Sequence, residues 1–207
     1  YDIGLGIPAE PLFRSRDLTT DEHGNIGDGG AIIWSGINGT VDNCRFENNS
    51  ADKRGGGVFL QNCTHGNCTN TTFSNSYFFN NTAGTNGGAI DWNKGAHDGL
   101  IYNVTFVNNT AKRSGGAVFW NGHNGTIQIS RFYGNRALGI TNATDVHGNV
   151  TYGGDGGAIM WSGAYGKVEN CEFIDNNASK RGGAVFLQGS EAELCFNTTF
   201  SHSYFIS

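Results

Sequence analysis

Apolar and polar positions recur along this chain in a pattern that neither a helix nor a simple hairpin would give. A β-branched residue stands two positions before a large apolar one six times: Ile32/Trp34, Val58/Leu60, Ile90/Trp92, Val118/Trp120, Ile159/Trp161 and Val185/Leu187. Alternation at period two marks a strand with one face buried. Each pair follows Gly-Gly-Ala or Gly-Gly-Gly, beginning at Gly29, Gly55, Gly87, Gly115, Gly156 and Gly182, at intervals of 26, 32, 28, 41 and 26 residues. A second signature, Phe-x-x-Asn, alternates with the first. It begins at Phe46, Phe78, Phe106, Phe132 and Phe173, and an alanine follows two residues after each asparagine. The predicted unit is therefore two short strands joined by Gly and Asn turns.

The alternation assigns faces. The β-branched and Trp/Leu columns point inward, as does the Phe column, with Cys44 and Cys171 beside two of its members. The residue between each inward pair is Ile33, Phe59, Asp91, Phe119, Met160 or Phe186. A column that accepts Asp91 belongs outside, so these six are predicted to form an outward, largely apolar stripe, a candidate interaction surface. Asn49, Asn81, Asn109, Asn135 and Asn176 are expected to stack as a ladder, since asparagine tolerates left-handed backbone and bonds its amide from rung to rung.

The repeat is nested. Residues 27–78 recur without gaps as residues 154–205, at an offset of 127. Two loops intrude, "NCTHGNCTNT" (62–71) and "LGITNATDVHGNVTY" (138–152), and "TDEHGNI" (20–26) echoes part of the second. A unit near 26 residues is too short for a propeller blade and fits one coil of a parallel β-helix. The predicted organisation is an N-terminal lead-in over 1–26 and an all-β solenoid over 27–207 of about six rungs, its four-rung block 27–153 begun again from 154.

Composition narrows the class. The chain has 33 glycines yet is 12% aromatic, which reads as many tight turns around a core rather than disorder. A net charge of −5 provides no basic surface for nucleic acid. Its apolar runs are too short to span a membrane. No secretory leader opens the chain, so Tyr1 is expected to be a processed terminus or the edge of a fragment.

Cysteine and sequon usage point to an extracellular, cell-surface setting. Asn-X-Ser/Thr begins at Asn38, Asn48, Asn62, Asn67, Asn70, Asn80, Asn103, Asn108, Asn124, Asn142, Asn149, Asn177 and Asn197, all candidates for glycosylation. Of the five cysteines, Cys63 and Cys68 are placed to close a local loop. Equally, Cys44 with Cys68 and Cys171 with Cys195 would keep one spacing in both copies, and the sequence leaves the two schemes open.

Candidate chemistry is sparse. Lys53-Arg54, Lys112-Arg113 and Lys180-Arg181 precede the glycines and read as solvated turns. The Asp-x-His spacing of Asp21/His23 and Asp145/His147 is explained by turn residues, so no metal and no cofactor is expected. "GDGGA" lacks the Gly-Lys-Ser/Thr of a phosphate loop. No nucleophile with its base is discernible, and no carboxylates cluster over neighbouring rungs as a β-helical lyase or hydrolase would need. An enzyme is therefore not expected.

Alternating GGA[ILV] and FxxN resembles the repeats of chlamydial polymorphic membrane proteins. The stretch "TFVNNTAKRSGGAVFW" (105–120) resembles still more the adhesin-like surface proteins of methanogenic archaea, toward which the sequon density also points. The resemblance runs from about residue 27 to the end. It implies a right-handed parallel β-helix on a cell surface, here a piece without translocator barrel or anchor. The implied role is adhesion to other cells, glycans or proteins; the alternative is a structural component, a lattice or filament of rods packing on copies of themselves.

Overall fold

The computed structural model describes residues 12–13, 16–17, 27–61, 68–140, 153–189 and 197–207. Every strand pairing in it is parallel, and the strands stack into four long sheets and one pair. One sheet holds Ile32–Trp34, Val58–Leu60, Ile90–Trp92, Val118–Trp120, Ile159–Trp161 and Val185–Leu187 in that spatial order. We call it the Trp sheet. The Phe sheet stacks Arg45–Glu47, Tyr77–Phe79, Thr105–Val107, Arg131–Tyr133, Glu172–Ile174 and Tyr204–Ile206. The chain is thus an all-β, right-handed parallel β-helix of about six rungs, as expected, with neighbouring rungs about 4.8 Å apart.

Each rung carries more strand than the sequence reading assigned. A third sheet runs from Thr40–Asp42 to Thr199–Ser201, and a fourth of two-residue strands from Arg16–Asp17 to Asn177–Ala178. Residues of the lead-in also join the stack: Leu12–Phe13 pairs with Arg45 and Phe46, and Arg16–Asp17 with Ser50 and Ala51.

Sequence periodicity and packing meet in the columns. Phe46, Phe78, Phe106, Phe132 and Phe173 are fully buried and stack with successive centroids 4.4, 5.1, 4.8 and 4.8 Å apart. Trp92, Trp120 and Trp161 stack at 4.1 and 4.7 Å. Near-parallel rings are enforced by the rung spacing and add to the area term that drives their burial. The ladder asparagines close the corner between sheets. Asn49, Asn81, Asn109 and Asn135 each donate Nδ2 to the Oδ1 of the next rung's asparagine at 2.8–3.0 Å.

A size rule couples the Trp column to the start of the third sheet. Cβ atoms built on Gly39, Gly99, Gly125 and Gly166 would lie 1.9, 2.0, 2.3 and 2.5 Å from ring atoms of Trp34, Trp92, Trp120 and Trp161. Where leucine replaces tryptophan, at Leu60 and Leu187, the matching positions hold Thr71 and Thr198. Large with small and smaller with larger keeps each layer filled.

Candidate binding groove

The column Ile33, Phe59, Asp91, Phe119, Met160 and Phe186 runs in strict register along the outside of the Trp sheet. Its outward direction is as expected. Its exposure is not: Ile33 is 47% exposed, but Phe59, Asp91 and Met160 are only 2%, 1% and 6% exposed. Phe119 and Phe186 are half-buried. The predicted open stripe is instead the floor of a groove. Alternation fixes which way a side chain points, and the side chains on either side decide what covers it.

One wall is the residue preceding each Gly-Gly: Asp28, Arg54, Asn86, Ser114, Asp155 and Arg181. Backbone bonds from each rung's first glycine to the next rung's wall residue hold it in line, as in Gly29 N–H to Arg54 O and Gly115 N–H to Asp155 O. The opposite wall includes Asn121, Ser162 and Gln188, whose amides bond back to Trp92, Trp120 and Trp161 carbonyls.

The walls fold over the floor at two places. Arg54 donates from Nε and Nη2 to the Asp28 carboxylate at 3.0 and 2.6 Å, and its guanidinium lies 4.2 Å from the Phe59 ring centre. Arg181 repeats this on Asp155, at 2.7 and 2.9 Å, and lies 4.2 Å over Phe186. In two of the three Lys-Arg pairs the arginine is thus fixed by a bidentate ion pair and cation–π contact, Arg54 half-buried and Arg181 in a turn that stays exposed. The aspartates escaped the sequence reading. The signal was present, because Asp28 precedes Arg54 and Asp155 precedes Arg181 by the same 26 residues. Between these covered stretches lies a cavity of about 360 Å³ walled by Asn86, Arg113, Ser114, Asp155 and Arg181 on one side, with Phe119 and Met160 among its lining.

Asp91 stands out in this floor. Its carboxyl is pushed up to about 8, chiefly because burial penalises the charge; Arg54 opposes this and Asp28 adds to it. Its Oδ2 has no hydrogen-bond partner. An acid that titrates near 8 when folded and near 4 when unfolded favours the folded chain most below about pH 4. That contribution is lost as pH rises through about 8. We therefore expect the wild type to lose on the order of a few kcal/mol between pH 5 and 8.5 relative to Asp91→Leu, read from urea midpoints of both proteins across that range. Parallel curves would show that Asp91 keeps an ordinary carboxylate.

The remaining site candidates sort by column. Cys44 and Cys171 lie among the described residues, the first half-buried and the second buried. Both occupy a serine column. Sγ of Cys44 and of Cys171 each donates to the carbonyl two residues back at 3.2 Å, as Ser76, Ser130 and Ser203 Oγ do. Burial pushes the Cys171 thiol up to about 11. Cys63 and Cys195, and the side chain of Cys68, lie outside the described residues, as do Asp21, His23, Asp145 and His147. Among the described residues no three His, Cys, Asp or Glu side chains are grouped to hold a metal ion, and no helix is long and apolar enough to cross a membrane, which says nothing of a β-barrel.

Of the sequon asparagines, Asn62, Asn67, Asn142 and Asn149 also lie outside the described residues. Asn38, Asn48, Asn70, Asn80, Asn103, Asn108, Asn124, Asn177 and Asn197 are all exposed, and all but Asn177 have φ between 51° and 57°. Several belong to outer ladders: Asn70 donates to Asn38, Asn80 to Asn48, Asn103 to Asn75 and Asn124 to Asp98. The turn thus supplies its own reason for asparagine, independent of any glycan.

Among known proteins, no curated sequence and no solved structure matches this chain. The family described as the right handed beta helix region matches residues 29–207, the stretch that carries all six rungs of the Trp sheet. The chain belongs to that right-handed β-helix family.

Proposed function

We propose that this chain is a non-catalytic, extracellular repeat protein of the cell surface, an adhesin that grips glycans in the groove of its Trp sheet. Kinship with the polymorphic-membrane-protein type of repeat, and with its archaeal adhesin-like form, belongs to the same proposal. The observation that carries it is the groove itself, a cavity of about 360 Å³ with amide, hydroxyl and guanidinium walls and with Phe119 and Met160 in its lining. Sugar rings pair an apolar face with a rim of hydroxyls, and such sites join a few placed polar groups to an aromatic surface. Asp155, the carboxylate in this lining, is held bidentate by Arg181, which favours a binding role over acid–base work.

The test is binding of the chain to an immobilised oligosaccharide panel by surface plasmon resonance, beside Phe119→Ser. We expect retention of at least one saccharide, weakened about tenfold by the loss of the ring surface. A silent panel, together with concentration-dependent sedimentation that Phe59/Phe119/Phe186→Ser abolishes, would replace adhesion with the packing of rods into a lattice.

A further inference from the structure

The three Lys-Arg pairs are not equivalent, and the difference lies in one residue. "KRGGG" (53–57) and "KRGGA" (180–184) place arginine directly before the glycines, whereas "KRSGGA" (112–117) inserts Ser114. Register follows. Thr85 N–H bonds to Lys53 O, Arg113 N–H to Thr85 O, Gly154 N–H to Arg113 O and Lys180 N–H to Gly154 O. Arg113 therefore stands in the lysine column, one place back from Arg54 and Arg181, and Ser114 takes the wall position that those arginines fill.

Two consequences meet at one spot. Ser114 is too short to reach over the floor as Arg54 covers Phe59, so the cavity opens beside Phe119. Arg113 is carried out of the wall position of the aspartate bridge; it is among the residues lining the cavity, and its side chain makes no hydrogen bond or ion pair among the described residues. Its stem is seated against Gly153, where a Cβ would come within 2.3 Å of Arg113 Cγ. On the same wall the buried Oδ1 of Asn86 has no partner. The site thus offers an unspent cation beside an apolar surface, while the nearby Asp155 charge is already held by Arg181.

We infer that Arg113 makes the groove selective for saccharides that carry an anionic substituent, a carboxylate or a sulfate ester. This rests on the glycan reading above and narrows it. A guanidinium presents a planar fork of donors that suits either anion, and such charge-assisted bonds are the strong ones.

The experiment offers immobilised oligosaccharides in neutral, uronic-acid-bearing and sulfated forms to the wild type, Arg113→Gln and Arg113→Lys, with circular dichroism to confirm that each is folded. We expect the wild type to retain an anionic form about tenfold or more better than its neutral counterpart. Arg113→Gln should erase that preference, and Arg113→Lys should keep part of it. Retention of only the uronic or only the sulfated form identifies the source of the charge. Equal binding of neutral and anionic forms, or an Arg113→Gln variant with undiminished preference, overturns the inference and leaves the glycan reading standing. No binding to any form overturns both.

Discussion

Asn109→Ala is expected to lower stability by about 3–5 kcal/mol, although it removes only a carboxamide. The side chain is fully buried and spends every polar valence. Its Nδ2 donates to Phe78 O and to Asn135 Oδ1, both at 3.0 Å. Its Oδ1 accepts from Asn81 N at 3.0 Å and from Asn81 Nδ2 at 2.9 Å. Truncation therefore strands two donors and one acceptor in the rung of Asn81 and a second acceptor in the rung of Asn135, and unsatisfied buried groups cost more than the lost bonds alone suggest. Asn109→Asp should be as damaging, because it turns an acceptor toward Phe78 O and Asn135 Oδ1. The neighbouring Asn108 is exposed with φ 53°, so Asn108→Ala should cost only about 1 kcal/mol, the penalty for left-handed backbone. Urea unfolding of the three variants is the measurement. An Asn109→Ala loss no larger than that of Asn108→Ala would show that the inner ladder contributes nothing beyond its geometry.

A second large effect should appear where Trp120 lies over Gly125. Gly125→Thr sets a side chain where even a Cβ falls 2.3 Å from the indole, and overpacking of this kind costs about 3 kcal/mol. Trp120→Leu alone should cost a similar amount through the void it leaves and the lost stacking on Trp92 and Trp161. Combined, the two changes recreate the Leu60/Thr71 arrangement already present in the chain. We expect the double variant to be more stable than either single one, with a favourable coupling of about 2 kcal/mol in a double-mutant cycle. Additive losses would mean that the matched sizes are coincidence.

Much of the fold was legible because its rules are local. The Ile/Val-x-Trp/Leu alternation and the Phe-x-x-Asn signature each report a face within a few residues, and both columns lie where they were read. The third sheet was missed because most of its strands carry one inward residue, such as Val41, Phe73 or Ile127, between polar neighbours, at distances from Gly-Gly that the loops vary. The Trp/Gly and Leu/Thr matching was hidden for the same reason. The groove was only half legible. That Phe59 points outward follows from alternation, but that Arg54 covers it depends on Asp28, a residue of the rung before. Asp91 shows the hazard of reading exposure from residue type, since an acid was taken as proof of solvent at a position 1% exposed.

The parallel pairing described for every sheet also has a mechanical meaning. Hydrogen bonds between rungs lie along the rod, so a pull on its two ends loads them in series, and a terminal rung peels before an inner one feels more than its share. A rung yields little height but much thread. The 26 residues from Gly29 to Gly55 occupy about 4.8 Å of rod and reach about 90 Å when drawn out. The 41 residues from Gly115 to Gly156 reach about 140 Å. Under tension such a chain behaves as a spool, giving ground one coil at a time while the coils still wound keep their groove.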